Sequence, residues 1–166
     1  MTTDFFKRMG LFVLFCLVQA LVLNHIHLLG YATPLLYVDF VLSFKRTYPK
    51  WAILVWCFAL GISIDTFSNT PGVAAGAMTL VGALQPYILE PFVPRDSAED
   101  LTPSFHTLGI TKYMTYAFVL VFIYTLAFFA LEAFSFFNWQ QWLFTTGGSI
   151  LLTYVLILVI ENLSRK

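Results

Sequence analysis

The residue of this chain that most needs a chemical explanation is Asp65, which lies near the end of an apolar run. It belongs to the stretch "FALGISIDTFSNTPGVAAGAM", positions 58–78, in which a tight turn and a series of small residues follow it. A carboxylate in apolar surroundings can hold neighbouring helices together, can belong to a polar patch that recognises a partner, or can carry a proton or a substrate. We expect the first use, which overlaps the second because a helix pair held in shape also presents a docking surface.

The residues around Asp65 indicate a helical hairpin. Gly61 lies four positions earlier, on the same helical face, so this face is narrow and can approach another helix closely. Asn69 favours a turn that is stabilised by side-chain-to-backbone hydrogen bonds, and Pro71 cannot continue the helix. We therefore expect the first helix of the hairpin to end between Asp65 and Pro71.

The second helix of the hairpin begins with closely spaced small residues. Gly72 and Gly76 have a G-x-x-x-G spacing, and Ala83 extends the series. Small residues let helix backbones pack closely in lipid. The start of this helix also offers free backbone N–H groups and the positive end of a helix dipole. We expect the Asp65 carboxylate to lie within reach of this helix start, and the small residues to supply close helix packing.

The other polar candidates give weaker signals. His25 and His27 form an H-x-H pair with no third ligand nearby in the sequence, so we predict no metal site. Asp39 lies inside an apolar segment and must face protein or water, where a salt bridge with Lys45 or Arg46 is one way to satisfy it. No phosphate-binding loop, metalloprotease motif or nucleophile elbow occurs. We predict no catalytic residue, no cofactor and no nucleic-acid partner.

The composition indicates a membrane protein. Of the 166 residues, 59% are hydrophobic and 11% are charged, whereas a soluble domain carries roughly 25% charged residues. So short a chain has too much surface to hide this apolar excess in a globular core. We predict a single all-α, multi-pass membrane domain that covers residues 1–166.

Apolar segments can be drawn at about 9–29, 33–44, 51–67, 72–92, 112–134 and 139–162, with a polar loop at about 93–111. The second segment is the shortest and would cover only about 18 Å as a helix. With six crossings, all nine lysines and arginines fall on one side of the membrane, and the positive-inside rule places both termini in the cytoplasm. Without the second segment, the basic residues after position 90 would lie across the membrane from those at 45–50.

The hairpin and the residues after it, positions 58–96, resemble the rod shape-determining protein MreD family of bacteria. The shared pattern is a G-x-x-x-D helix end, a short turn and a P-G-x-x-A/G restart, here Gly61, Asp65, Pro71, Gly72 and Ala75 or Gly76. The chain length, the six segments and the short second segment are also similar to that family. Asp39 departs from the pattern, because the family usually has an apolar residue there.

The resemblance implies a function that composition and spacing do not give. It implies a non-enzymatic scaffold in the bacterial inner membrane that belongs to the cell elongation machinery. The implied direct partner is a bitopic protein similar to MreC, and through it MreB-like filaments and peptidoglycan synthases are coupled to rod cell shape. It also implies a six-helix fold similar to the substrate-binding subunits of energy-coupling-factor transporters.

A second class of function is compatible with the same fold, namely a small-molecule-binding subunit of a membrane transporter. Such a subunit needs a polar, enclosed pocket, but the predicted outer loops are short and almost uncharged. We therefore expect a scaffold, in which the hairpin Gly61–Ala83 supplies close packing and Asp65 holds its geometry. The sequence leaves open the partner-facing surface, homo-oligomerisation, and whether an internal pocket binds lipid or a small molecule.

Overall fold

The computed structural model describes residues 2–21, 33–94, 97, 100–133 and 139–164, and these residues form helices and no strands. In chain order the helices are α1 (Thr2–Leu21), α2 (Asp39–Leu42), α3 (Lys50–Ser68), α4 (Val73–Leu89), α5 (Phe105–Leu108), α6 (Ile110–Ala133) and α7 (Trp139–Ser164). A 3-10 turn, Leu36–Val38, precedes α2, and another, Glu90–Phe92, follows α4.

Among the described residues, four helical stretches are long and apolar enough to cross a membrane: α3, Val73–Phe92, α6 and Trp139–Leu163. They agree within a few residues with the predicted third to sixth segments. Large apolar side chains on their outer faces are exposed, as Phe144 and Leu151 of α7 show with 76% and 67% exposure. An exposed apolar surface of this extent is compatible with a lipid environment rather than with water. The chain thus has the architecture of a helical membrane protein.

Helices α3, α4 and α6 form the centre of the bundle, with α4 packed between the other two. α6 runs for 24 residues without glycine or proline, so nothing in its sequence interrupts the helical hydrogen bonds. Its inward face carries Tyr116, Leu120 and Tyr124, all fully buried. These large side chains fill the space between α6 and the segment that contains α2.

The first predicted segment differs from the observed helix. α1 begins at Thr2 rather than near position 9, so Lys7 and Arg8 lie within the helix instead of before it. The remainder of the predicted segment, 22–29, lies outside the described residues. The difference arises because a helix can extend beyond the apolar stretch that embeds it, and the hydropathy pattern marks only that stretch.

The second predicted segment, 33–44, is not a continuous helix. Residues 33–35 have no regular structure, and only the 3-10 turn and the four residues of α2 are helical. Pro34 explains the irregular start, since it lacks an N–H group and restricts the residue before it. The segment is deeply buried, and Tyr37, Val38, Phe40 and Val41 have no exposed surface.

The bundle has two distinct ends. At the turn end lie the α3–α4 turn (residues 69–72), the last residues of α1 and the last turn of α6, which all border one cavity. At the loop end lie the start of α1, the chain at 44–50 and residues 100–109. The N–H of Arg46 donates to the carbonyl oxygen of Leu101 at 3.1 Å and so connects the last two of these segments. Segment 33–44 runs between the two ends through the interior.

The described basic side chains belong to the loop end. Lys45 forms an ion pair with Asp4 at 3.4 Å, and the Arg8 guanidinium lies between the rings of Phe44 and Tyr48, 4.3 and 4.2 Å from their centroids. The lysines and arginines that the structure describes are Lys7, Arg8, Lys45, Arg46, Lys50 and Lys112. Each lies in the first turns of α1, α3 or α6 or in the chain before α3, so none is near the α3–α4 turn.

Candidate functional site

The α3–α4 turn lies where the sequence predicts it. α3 ends at Ser68, and Asn69 adopts a left-handed conformation with φ 56°, which asparagine tolerates better than most residues. The N–H of Thr70 donates to the carbonyl oxygen of Asp65 at 3.2 Å and closes the helix end. Gly72, with φ 84°, follows Pro71 and admits a conformation that an L side chain would strain.

The Asp65 carboxylate caps the start of α4. One of its oxygens accepts the N–H of Ala74 at 2.8 Å, and the other accepts the N–H of Ala75 at 2.9 Å. The Thr70 hydroxyl also donates to this carboxylate, at 3.1 Å. The first N–H groups of a helix have no partner within it, and the dipole there favours a negative charge. Asp65, only 6% exposed, thus satisfies two backbone donors that lipid could not.

Gly61 is the point of closest approach between the two helices of the hairpin. A Cβ atom at this position would overlap the Cα of Ala75 and would lie only 2.7 Å from its backbone nitrogen. Both neighbours are backbone atoms, so no side-chain movement could relieve the overlap. The glycine therefore brings the Asp65-bearing face of α3 against the first turn of α4, which is the geometry that the cap requires.

The expected small-residue packing face of α4 is partly wrong. Ala75 faces α3 as expected, but the second close approach is at Gly82, where an added Cβ would lie 2.7 Å from the Sγ of Cys57. Gly76 and Ala83 are exposed instead, and a Cβ at Gly76 would meet only the Leu131 side chain, at 3.2 Å. Positions 75 and 82 are two helical turns apart, and positions 76 and 83 lie on a face rotated by about 100°.

The rotated face leaves a strip of α4 largely exposed, with Leu131 beside Gly76 at one end and Lys50 against Tyr87 at the other. Gly76, Leu80, Ala83 and Tyr87 are all exposed, and their spacing of four, three and four residues places them on one side of the helix. The residue of the strip nearest the turn end, Gly76, is small, and the residue nearest the loop end, Tyr87, is large. We call these four residues the α4 strip.

Helix α7 has a structural role that the sequence did not predict. Serine and threonine hydroxyls within a helix commonly bond to a carbonyl oxygen of the preceding turn. Ser149 Oγ instead accepts the N–H of Thr33 at 3.1 Å, and Thr153 Oγ1 accepts the N–H of Leu35 at 3.0 Å. Gln19 Nε2 of α1 donates to the carbonyl oxygen of Pro34 at 3.0 Å. Side chains from two helices thus satisfy the irregular backbone of segment 33–44.

Buried hydroxyl groups tie the same segment to α4 and α6. The hydroxyls of Tyr37 and Tyr124 share a hydrogen bond, and both side chains are fully buried. Gln85 of α4 donates to Tyr116 Oη at 3.0 Å and to the carbonyl oxygen of Phe44 at 3.4 Å. These contacts fix the segment in place at both ends, and they use hydroxyl and amide groups where a helix would use its own backbone.

Asp39 has a different setting from the one expected. It opens α2 and is partly buried, while the three residues after it, Phe40–Leu42, are fully buried. The salt bridge with Lys45 or Arg46, one of the ways in which Asp39 could be satisfied, is not formed, because Lys45 pairs with Asp4 and the Arg46 side chain is exposed. The function of Asp39 stays unassigned.

The described residues bring together no group of three or more His, Cys, Asp or Glu side chains that could hold a metal ion. His25 and His27 lie outside the described residues, so the H-x-H pair is not placed. The candidate site is therefore the hairpin itself, with Gly61, Asp65, Asn69, Pro71 and Gly72 at its turn and the α4 strip on its outer side.

Comparisons of this chain with protein-family models, with curated proteins and with solved structures give no match. The interpretation of the hairpin consequently rests on its own geometry and on the sequence motif.

Proposed function

We propose that this protein is a non-enzymatic scaffold of the bacterial inner membrane that binds the transmembrane helix of an MreC-like bitopic protein. Through that partner it helps couple MreB-like filaments to peptidoglycan synthases, and so supports rod cell shape. The proposal combines the MreD-like motif with one observation, the exposure of Gly76 and Ala83 on the α4 strip. Small residues that a chain leaves unpacked on a lipid-facing helix are suited to close contact with another helix.

The physical argument concerns how helices associate in lipid. Lipid tails are as apolar as leucine, so association depends on close packing and a few hydrogen bonds rather than on the hydrophobic effect. The cap by Asp65 and the close approach at Gly61 fix α4 rigidly against α3. A rigid strip loses little freedom when a partner helix packs on it, which favours binding. In this proposal Asp65 is a positioning residue, and the α4 strip is the contact surface.

The proposal includes six crossings with both termini in the cytoplasm. The path of segment 33–44 from the turn end to the loop end supports it, because irregular backbone at membrane depth is tolerated where protein buries it. The position of the described lysines and arginines at the loop end supports a cytoplasmic orientation of that end.

The crossing number can be tested by labelling single cysteines in intact cells with a membrane-impermeant maleimide. Cys16 and Cys57 are first replaced by alanine, and cysteine is then introduced separately at Lys7, Lys50 and Trp139. Six crossings predict labelling at position 139 alone in intact cells, and labelling at all three positions after permeabilisation. Labelling of position 7 or position 50, but not both, in intact cells would contradict a crossing by segment 33–44.

The contact surface can be tested by enlarging the small residues of the strip. Gly76→Leu and Ala83→Leu should each reduce recovery of the MreC-like partner from the same organism, by about tenfold or more, in co-purification from detergent. Gly147→Leu on α7 is the matched control, since an added Cβ there meets nothing within 4 Å. A stability measurement on each purified variant separates lost binding from lost folding. Unchanged recovery with both strip variants would remove the α4 strip from the proposal.

The alternative function, a ligand-binding subunit of a membrane transporter, is favoured by one observation. A cavity of about 340 Å³ with polar and aromatic lining opens at the turn end of the bundle. Ligand pockets commonly have volumes of about 300–1,000 Å³, so this cavity is at the small end of the range. A cavity alone indicates binding rather than transport, and the scaffold remains the function that we propose.

A further inference from the structure

The cavity at the turn end has a lining that is chemically selective. Its walls are formed by aromatic rings from three parts of the chain: Tyr37 of the 3-10 turn, Phe67 of α3, and Phe128 and Phe129 of α6. Glu132, one helical turn after Phe128, adds a carboxylate, and Thr70 adds a hydroxyl from the α3–α4 turn. A carboxylate in the same lining as several aromatic rings favours an organic cation, which the negative charge attracts and which aromatic rings can bind.

The aromatic walls are held in place by contacts behind them. Tyr37 is fully buried and its hydroxyl is bonded to Tyr124, so its ring cannot leave the wall without breaking a buried hydrogen bond. The rings of Phe128 and Phe129 pack edge to face with centroids 5.4 Å apart, and both residues are at most 8% exposed. Phe67, 63% exposed, lies at the rim. The cavity is thus built from fixed rings with one freer ring at its mouth.

The charges around the cavity also favour a cation. Of the residues that the structure describes, no lysine or arginine lines the cavity, and the basic ones lie at the opposite end of the bundle. The neighbouring carboxylate of Asp65 is already occupied by two backbone N–H groups and the Thr70 hydroxyl, so its charge is balanced by the hairpin. The Glu132 carboxylate has no hydrogen bond or ion pair among the described residues. Glu132 is exposed, so its carboxylate faces the mouth of the cavity, where it would repel an anionic ligand and attract a cationic one.

We propose that this cavity binds a small organic ammonium group, either of a free amine or of the ethanolamine headgroup of a phospholipid. The ammonium would lie against the accessible parts of the Phe67, Phe128 and Phe129 rings and pair with Glu132, while Tyr37 supports the wall from behind. The volume of about 340 Å³ admits a headgroup or a small amine but not a whole lipid. This inference concerns a different surface from the α4 strip and does not depend on the scaffold proposal.

Calorimetric titration of the full purified chain in a non-ionic detergent tests the ligand class. The probes are ethanolamine and choline, and the control is 3,3-dimethylbutanol, which has the shape of choline without its charge. We expect saturable binding of an ammonium probe and at least about tenfold weaker binding of the neutral alcohol. Equal binding of choline and the alcohol would overturn the proposal, and so would the absence of saturable binding by both ammonium probes in every preparation tested.

A charge-removing variant tests the position of the site. Glu132→Gln should weaken binding of the ammonium probe by about tenfold or more, since it removes the paired charge and keeps the shape. Glu90→Gln is the matched control, because Glu90 is an exposed carboxylate at the other end of α4. Phe128→Leu, which removes a wall ring, should also weaken binding. Unchanged affinity in folded Glu132→Gln protein would place binding elsewhere and overturn the assignment.

The source of the ammonium group is distinguished by repeating the titration in lipid nanodiscs. If the headgroup is the ligand, nanodiscs of phosphatidylethanolamine should block the ethanolamine titration that nanodiscs of phosphatidylglycerol permit. If a free amine is the ligand, the titration should be the same in both. Either pattern supports an ammonium site, whereas loss of binding in both nanodisc types would show that detergent creates it and would overturn the proposal.

Discussion

The α3–α4 hairpin and segment 33–44 meet the same physical requirement in opposite ways. Both contain backbone groups that a continuous helix would have satisfied, and both lie where water is scarce. In the hairpin, the donors of Ala74 and Ala75 bond to Asp65, nine and ten residues earlier in the chain. In segment 33–44, the donors of Thr33 and Leu35 bond to α7 side chains 116 and 118 residues away.

The difference shows that the two regions are stabilised by contacts of different range along the chain. The hairpin is a local unit, since its cap, its turn and its closest helix contact all lie within positions 61–82. Segment 33–44 depends on α1, α4, α6 and α7 for its hydrogen bonds, so it can take its structure only once the bundle has assembled. We expect changes in the hairpin to affect the whole protein strongly, and single changes around segment 33–44 to have smaller effects that add together.

The largest expected effect is that of Gly61→Ala. The added methyl group would overlap backbone atoms of Ala75, so the helices must separate and the Asp65 cap must lengthen. We expect the free energy of unfolding to fall by about 3 kcal/mol, measured by unfolding in mixed micelles of detergent and dodecyl sulfate. Gly10→Ala in α1 is the control, because a Cβ there meets nothing within 4 Å. Equal stability of the two variants would show that the close approach is not needed.

Asp65→Ala should have the next largest effect. It leaves the N–H groups of Ala74 and Ala75 buried without a partner, and each such group costs about 1–3 kcal/mol. We expect a loss of about 2 kcal/mol or more in the same unfolding measurement, and a smaller loss for Asp65→Asn, whose amide oxygen can still accept one bond.

Asp4→Ala is the matched control for the removal of an acid. Asp4 is half exposed and pairs with Lys45 at the loop end, and surface ion pairs contribute about 0–1 kcal/mol. A loss for Asp65→Ala no greater than that for Asp4→Ala would contradict the cap as the main support of the hairpin.

Around segment 33–44 we expect an intermediate effect. Thr153→Val keeps the side-chain shape but removes the acceptor for the Leu35 N–H, and Ser149→Ala does the same for Thr33. Hydrogen bonds of this kind contribute about 1 kcal/mol each in membrane proteins. Each variant should therefore lose about 1 kcal/mol, and the double variant about the sum.

Thr115→Val on α6 is the control, since that hydroxyl is exposed and donates only to the carbonyl oxygen of Thr111 in its own helix. Its stability should be almost unchanged. If Thr153→Val were as harmless as Thr115→Val, segment 33–44 would not depend on α7, and the contrast between the two regions would fail.

The same contrast explains what the sequence could predict. The third to sixth apolar segments, the turn and the reach of Asp65 to the next helix were predictable, because each follows from residues close together in the chain. The bonds from the α7 hydroxyls to segment 33–44 were not predictable, because nothing in the sequence shows that Thr33 and Ser149 are neighbours. The sequence likewise indicated only a short apolar segment at 33–44. Its irregular, buried conformation around α2 was not predictable, because tertiary contacts rather than local propensity determine it.

Which face of α4 packs against α3 was only partly predictable from the sequence. The small residues of α4 indicated close packing, but the G-x-x-x-G pair, Gly72 and Gly76, does not make it. Two sets of small residues run along α4, and only the structure shows which set meets α3. Ala75 and Gly82 do, at Gly61 and Cys57 respectively. A sequence signal existed in the position of Cys57, four residues before Gly61, which marks the same face of α3 as the close approach.

The smallest expected effect is that of Gly76→Ala, and it sharpens the interpretation of the α4 strip. The added methyl group would meet only the flexible end of Leu131, and alanine is the better helix former, so the two terms oppose each other. We expect the free energy of unfolding of the isolated chain to change by less than about 0.5 kcal/mol. Because Gly61→Ala makes the same chemical change on the neighbouring helix, the pair compares an inner glycine with an outer one. If Gly76→Ala lowered the free energy of unfolding as much as Gly61→Ala, the fold of the chain itself would require this glycine. A negligible change would agree with the proposal that the small residue serves contact with a partner helix.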